Sequence, residues 1–272
     1  MMTMLLVAIA VLSGLRDSAD ASRSIRLQAD GPRVTGTPAH PHVVFMIGED
    51  EYRTWETLPA FAKRELEPRG YRVTIVNADS ADKNDFPGLV EALRSADLLF
   101  LSTRRRTPPL DQLNAVRAYL DSGKPLVGIR TACHAFALRP SDPPPPAGHA
   151  TWQDFDPEVL GGHYANHHPA GPKTSVSAGP GAVKHAILNN VRPEGLASNA
   201  SLYKVSPLAP ATRVLLVGAI PGESPEPIAW THEYGPKHAR VFYTSLGHPD
   251  DFDNADFRKL LLNAVRWALA NP

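Results

Sequence analysis

The stretch KPLVGIRTACHAF, Lys124 to Phe136, joins an apolar run of strand length to a segment of small residues and holds the only cysteine of the chain. A strand over Pro125–Ile129 followed at once by a turn is the pattern of a nucleophile elbow, in which the reactive residue sits immediately after the strand on a strained backbone. The residue in that place is Arg130. Cys133 comes three positions later, about one helical turn along, where a small side chain packing against the sheet is expected rather than a nucleophile.

Upstream of this stretch, apolar runs alternate with segments of helical period. Val43–Ile47, Tyr71–Val76, Asp97–Leu101 and Pro125–Ile129 read as strands; Thr57–Glu67, Pro87–Ser95 and Pro108–Ser122 read as helices. In the third helix Thr107 is the expected cap and Pro108 the first-turn residue. Leu110, Leu113, Val116, Tyr119 and Leu120 form its apolar stripe, and Gly123 ends it. The order βαβαβαβ predicts an α/β fold with a mainly parallel sheet and helices on both faces, because parallel neighbours need crossover connections. Downstream, RPSDPPPPAGH reads as an exposed insertion, since four prolines suit neither helix nor ladder. Shorter strand-like runs follow at Ser201–Val205, Arg213–Ile220, Pro227–His232 and Arg240–Ser245, then a helix over Ala255–Ala270 burying Phe257, Leu260, Leu261, Val265 and Leu269. Lys184–Leu188 reads as a short strand or turn with a structural His185.

The 272 residues carry 28 acidic and 28 basic side chains with no long run of one sign, so nothing marks a nucleic-acid or anionic-membrane surface. Arg104-Arg105-Arg106, the one basic cluster, reads as a solvated loop. No run of some 20 apolar residues is present to span a membrane. Met4–Leu12 is a short apolar stretch, and Ala19-Asp20-Ala21 has the small-x-small pattern read by a signal peptidase. Residues 1–21 are therefore expected to be a signal peptide, although no Lys or Arg precedes Arg16, and 22–41 a disordered lead-in. The domain is expected over 42–272, in a periplasmic or secreted protein. One cysteine allows no internal disulfide framework.

Ligands of open α/β sheets sit beyond the carboxyl ends of the strands. That rule selects Glu49-Asp50-Glu51-Tyr52, Arg104–Arg106, Arg130–His134 and Gly247-His248-Pro249-Asp250. His163, His167 and His168 lie within six positions after a Gly-Gly pair, with His134 and His248 at strand ends. A divalent ion such as zinc on His163, His167, His168 and His248, with Glu49 or Glu51 as an oxygen ligand, and a metal-free polar site both stay open. The three acids could cap a helix, bind sugar hydroxyls, act as general acid or base, or balance Arg130. Tyr52, Trp55, Trp152 and Tyr164 offer flat faces for a sugar ring or for the core.

The run PLVGIR, with GEDEYRTWETLPAF (48–61), LGGHYANHH (160–168), SLYKV (201–205), EPIAW (226–230) and RVFYTSLGHPDDF (240–252), resembles the ThuA-like, or trehalose-utilisation, family. That family belongs to the class I glutamine amidotransferase-like fold. The resemblance spans nearly all of residues 42–272. It implies a three-layer, doubly wound (flavodoxin-like) sheet and activity on a small carbohydrate, a sugar or oxidised sugar. Amidotransferases place Cys at the elbow and a His-x-Glu pair after a late strand; here His248 and Asp250 fall where the pair would be, and the elbow holds Arg130. An arginine stays protonated and cannot be the nucleophile, so glutamine hydrolysis is not expected. ThuA-like proteins often carry His at this elbow, so Arg130 departs from that pattern too. The resemblance thus points to His248 oriented by Asp250 as acid/base, His167 second and Arg130 on an oxyanion or carbonyl oxygen. Glu49, Glu51, Tyr52, His134 and Tyr203 would bind substrate. Hydrolysis, elimination and isomerisation stay open, as do the oligomeric state and a non-catalytic sugar-binding module on the same fold.

Overall fold

The computed structural model describes residues 40–182 and 184–270. The segments read above as signal peptide and lead-in lie outside these, apart from residues 40 and 41. One eight-stranded sheet organises the described chain. Its strands in chain order are β1 (His42–Gly48), β2 (Arg72–Asn77), β3 (Leu98–Thr103), β4 (Leu126–Ile129), then β6 (Ser175–Ala178), β8 (Arg213–Ala219), β9 (Glu226–Tyr234) and β10 (Ala239–Thr244). β5 (Asn166–His167) and β7 (Tyr203–Lys204) form a separate two-stranded sheet in which His167 faces Tyr203. The spatial order is β2-β1-β3-β4-β10-β9-β8-β6. The first five strands run parallel, and the last three extend the sheet antiparallel.

Alternation along the strands feeds two apolar layers. Val43, Phe45 and Ile47 join Leu58 and Phe61 of helix α1 (Thr54–Phe61) and Leu260, Leu261 and Val265 of α4 (Ala255–Leu269). Val44 and Met46 point the other way, toward Leu89 and Leu93 of α2 (Leu89–Arg94) and Leu113, Val116 and Leu120 of α3 (Leu110–Asp121). Both faces of β1, β3 and β4 are therefore buried, which explains their unbroken apolar runs.

Three local expectations are corrected. α1 starts at Thr54, three residues early, because the Glu49 carboxylate accepts the Thr54 N–H at 2.7 Å and satisfies the helix start from outside it. α3 starts at Leu110 with Pro109 as its cap residue; Thr107 is buried and its N–H goes to Asn84 Oδ1 at 2.9 Å. Leu110 is 51% exposed and lies off the apolar stripe. The proline-rich insertion is mostly exposed, as expected. His185 is buried against Trp267, and Ala186–Leu188 form a 3₁₀ turn.

The strand order places a crevice between β1, whose connection runs to β2 on one side, and β3, whose connection runs to β4 on the other. The residues following β1, β3, β4 and β10 gather along that carboxyl edge. Arg130 takes the elbow position with φ 47°, a left-handed conformation uncommon for a long side chain. A single 3₁₀ turn, Arg130–His134, follows it in place of a helix.

Candidate active site

Arg130 is the centre of the site. Its side chain is 1% exposed, and no carboxylate among the described residues lies within salt-bridge distance. The guanidinium is held instead between two rings, with Tyr203 3.8 Å and Tyr52 4.5 Å from ring centroid to Cζ. Nη1 donates to the carbonyls of Ser245 (2.8 Å) and Ser201 (3.0 Å); Nη2 donates to Tyr52 Oη and Ser201 Oγ, both at 2.9 Å. Gly247, at φ 128°, takes a backbone conformation that favours glycine where the loop after β10 passes Arg130.

The two hydroxyls determine what this arrangement presents outward. An oxygen that accepts from Nη2 keeps its own proton for another acceptor, so Tyr52 Oη–H and Ser201 Oγ–H become donors backed by a buried positive charge. Tyr52 and Ser201 are half-buried, at the rim of the site. Strain and unpaired atoms concentrate here too. Among the described residues, the buried side-chain polar atoms without a protein partner are Arg104 Nε, Arg105 Nε, Arg130 Nε, Thr131 Oγ1, Asp156 Oδ1 and His168 Nε2. Three of them belong to the elbow and the π-helical turn Asp156–Leu160 that packs against it. Unsatisfied buried groups are few in native proteins, and their clustering marks a functional region.

His134 lies beneath this rim, buried, its ring 4.4 Å from Tyr164 and 6.0 Å from Tyr203. Burial first, then the charges of Arg105, Arg104 and Arg130, hold its pKa well below the usual imidazole value, so it is neutral. Cys133 is fully buried, accepts from Tyr243 Oη at 3.0 Å, and has its thiol pKa pushed far up by burial. It packs, as its place in the sequence implies, and no thiolate forms there.

The acidic run serves other partners. Glu49 is buried, and its carboxylate accepts from the backbone N–H groups of Glu51 (2.6 Å), Tyr52 (2.6 Å) and Thr54 (2.7 Å) and from Thr54 Oγ1 (2.6 Å). It is a cap that shapes the turn carrying Tyr52. Asp50 pairs with Lys83 at 2.9 Å and with Arg106, and Glu51 with Arg104 at 2.8 Å. Arg130 is balanced by none of the three. Arg104–Arg106 are consequently half-buried and tied down, not the solvated loop expected from sequence: Arg105 Nη1 donates to the Ala137 carbonyl and Arg106 Nε to the Gly48 carbonyl.

After β10, His248 is half-buried, and its Nδ1 accepts the backbone N–H of Asp250 at 3.3 Å. The Asp250 carboxylate is exposed, 3.4 Å from Nδ1, and also accepts from Asn199 at 2.9 Å. The buried carboxylate of this turn is Asp251, which sequence reading passed over although His-x-x-Asp has capping-box spacing. It accepts Gly247 N–H (2.9 Å), His248 N–H (3.0 Å) and Ser198 Oγ (2.9 Å), and burial raises its pKa against those bonds.

The remaining histidines diverge. His163 Nδ1 meets Asp156 Oδ2 at 3.0 Å; exposed His167 Nδ1 meets the His168 carbonyl at 2.7 Å; buried His168 lies 2.8 Å from Glu223 and 3.7 Å from Glu226. Each ring is committed to a different partner, and among the described residues no three His, Cys, Asp or Glu side chains come together as a shell for a metal ion. His163, His167, His168 and His248 do not fit a shared zinc site as arranged here. Asp156, Asp251 and Ser201 are the site residues that sequence reading missed.

Comparison with known proteins agrees with this topology. A ThuA-like protein from Bacteroides uniformis ATCC 8492 superposes with a TM-score of 0.62 at 17% identity, over 89% of this chain and 94% of that one. A ThuA-like protein from Parabacteroides merdae ATCC 43184 gives 0.56 at 16% identity, over 85% and 90%. At these identities the likeness establishes the fold alone. No curated protein matches the chain. The family model ThuA, described as trehalose utilisation, matches residues 43–268, and the chain therefore belongs to the ThuA family.

Proposed function

We propose that this is an exported enzyme of carbohydrate metabolism that binds a sugar or oxidised sugar through the Tyr52 and Ser201 hydroxyls over Arg130, with no glutamine amidotransferase activity. The carrying observation is the buried guanidinium without a carboxylate, whose Nη2 turns both hydroxyls into outward donors. Such a pair suits a carbonyl or carboxylate oxygen, which accepts two hydrogen bonds and gains from the charge behind them. The half-buried ring of Tyr164 beside it offers a flat apolar surface of the kind a pyranose packs on. Membership of a trehalose-utilisation family supports the substrate class.

The finer description of the fold, a three-layer class I glutamine amidotransferase-like domain, is supported by the left-handed elbow and by helices packed on both faces. Export rests on the apolar and small-residue pattern before Ser22. No step is assigned to a metal. Isothermal titration of the purified full chain with trehalose, a ketose and an aldonate tests the reading. The ketose or aldonate should bind, and Tyr52→Phe and Ser201→Ala should each weaken it about tenfold, the loss of one hydrogen bond to a polarised group. Equal binding by the double variant, or no binding of any of the three sugars, would sink the proposal.

A further inference from the structure

We propose that His163 and Asp156 form the proton-transfer dyad of the molecule, His163 Nε2 acting as general base and Asp156 as the carboxylate that positions it. This deepens the reading of a sugar-directed enzyme and rests on it, by naming the group that would take a proton from a sugar hydroxyl or C–H.

Among the described residues, four histidines touch a carboxylate through Nδ1, and they are not alike. Glu233 beside His238 and Asp250 beside His248 are well exposed, and Glu223 beside His168 is about one-third exposed. Asp156 beside His163 is fully buried, while the His163 side chain is 57% exposed. Burying a carboxylate is expensive unless its oxygens are satisfied, and here one of them, Oδ1, has no protein partner. A neutral Asn could hold the ring at lower cost. The arrangement is explained if the charge itself is needed at Nδ1.

Tautomers separate this histidine from His248. Above about pH 7, where Asp156 is ionised and can only accept, Nδ1 of His163 must carry the proton, which leaves the Nε2 lone pair free to receive one. Nδ1 of His248 accepts from the Asp250 N–H, so its neutral ring carries the proton on Nε2 and can donate but not accept there. The base belongs at His163.

The chain also spends two glycines on placing this ring. At Gly161, φ 74°, a Cβ would stand 2.6 Å from Thr212 Oγ1 and 2.7 Å from the His232 ring; at Gly162 it would stand 2.5 Å from Leu208 and 2.9 Å from Trp230. Only glycines let the backbone lie this close to the sheet, and the Gly162 N–H returns to the Asp156 carbonyl at 3.2 Å. The next residue, Tyr164, packs tilted against His134 and edge-on against Tyr203, the ring that holds Arg130, so the dyad and the hydroxyl pair share one edge. Arg105 is the other charge facing the pair, and the Cys133 thiol lies on the buried side of Asp156.

Hydrolysis of p-nitrophenyl acetate by the full chain tests the dyad without knowledge of the natural substrate. Nε2 removes a proton from water as the water oxygen bonds to the acetyl carbon; the bond to p-nitrophenolate breaks, and the proton passes to solvent. His163→Gln should lower the rate at least tenfold, while His238→Gln, an exposed control, leaves it within twofold. Asp156→Asn should slow the reaction and move the midpoint of its pH profile to lower pH, a change that loss of packing alone would not produce. A His163→Gln rate equal to wild type, or a loss that follows His248→Gln instead, would overturn the proposal. Esterolysis that depends on His163 in a protein that binds no sugar would keep the dyad and remove the sugar reading.

Discussion

Asp156 is also where a single side chain should set how stability depends on pH. Burial raises its pKa to about 7, with the His163 bond and Arg105 pulling the other way. In the unfolded chain an aspartic acid titrates near 3.9, so from about pH 4 to 7 the folded protein holds a proton that the unfolded one releases. Stability from this group is full below pH 4 and is lost as pH rises through 7. His163 pushes in the same direction: its bond to Asp156 raises its pKa, so what it contributes is present below about 6.5 and lost above its folded value. Asp156→Asn should therefore gain on wild type as pH rises, by at most about 1.4 kcal/mol per pH unit, the limit for one proton. Urea denaturation of both proteins at pH 4.5, 6 and 7.5 measures it, and parallel stability curves would contradict the assignment. Arg130 and Cys133 were legible in sequence because a strand end fixes what each position can do. Asp156 was not, since a Phe-Asp-Pro before a helical turn looks the same whether its carboxylate faces solvent or core.

Elements translate these residues into positions, and the β1–α1 connection shows how. Three acids in a row could have been ligand groups or helix caps, and sequence has no means of separating the two. The structure separates them by burial: Glu49 turns in and takes four hydrogen bonds, while Asp50 and Glu51 turn out to Lys83, Arg106 and Arg104. Glu49→Ala would leave the N–H groups of Glu51, Tyr52 and Thr54 without that acceptor, in a turn where Thr54 is buried. A cost of about 2 kcal/mol follows from a lost cap with a charged acceptor. Because the same turn carries Tyr52, the sugar affinity expected above should fall with it, whereas Glu51→Ala, which breaks a part-exposed pair, should cost under about 1 kcal/mol. Chemical denaturation of the two variants side by side decides between cap and ligand. A Glu49→Ala protein as stable as wild type would mean that the buried carboxylate is not what holds the turn.

The whole molecule joins two kinds of sheet, and Arg130 is the bolt between them. The parallel half was readable from alternating strand and helix periods; the antiparallel β9-β8-β6 flank was not, because its runs are short and their direction depends on pairing partners far along the chain. β1, β3 and β4 are buried on both faces, whereas β6 is a mostly exposed edge strand. Amide hydrogens of the first three should exchange only through global unfolding, and those of β6 through local opening at far lower free energy. Arg130 ties the Ser201 carbonyl, from the segment between β6 and β8, to Ser245 after β10 and to Tyr52 after β1. Arg130→Met keeps the apolar stem between the two tyrosine rings and removes all four bonds. Hydrogen exchange followed by mass spectrometry should then show faster exchange across Ser201–Lys204 with β3 and β4 unchanged. Uniform acceleration would make Arg130 a general core residue, and no change at Ser201–Lys204 would mean that the loop is held by β5 and its own packing. Local loosening alone is the outcome that fits a guanidinium which organises the site without carrying the fold.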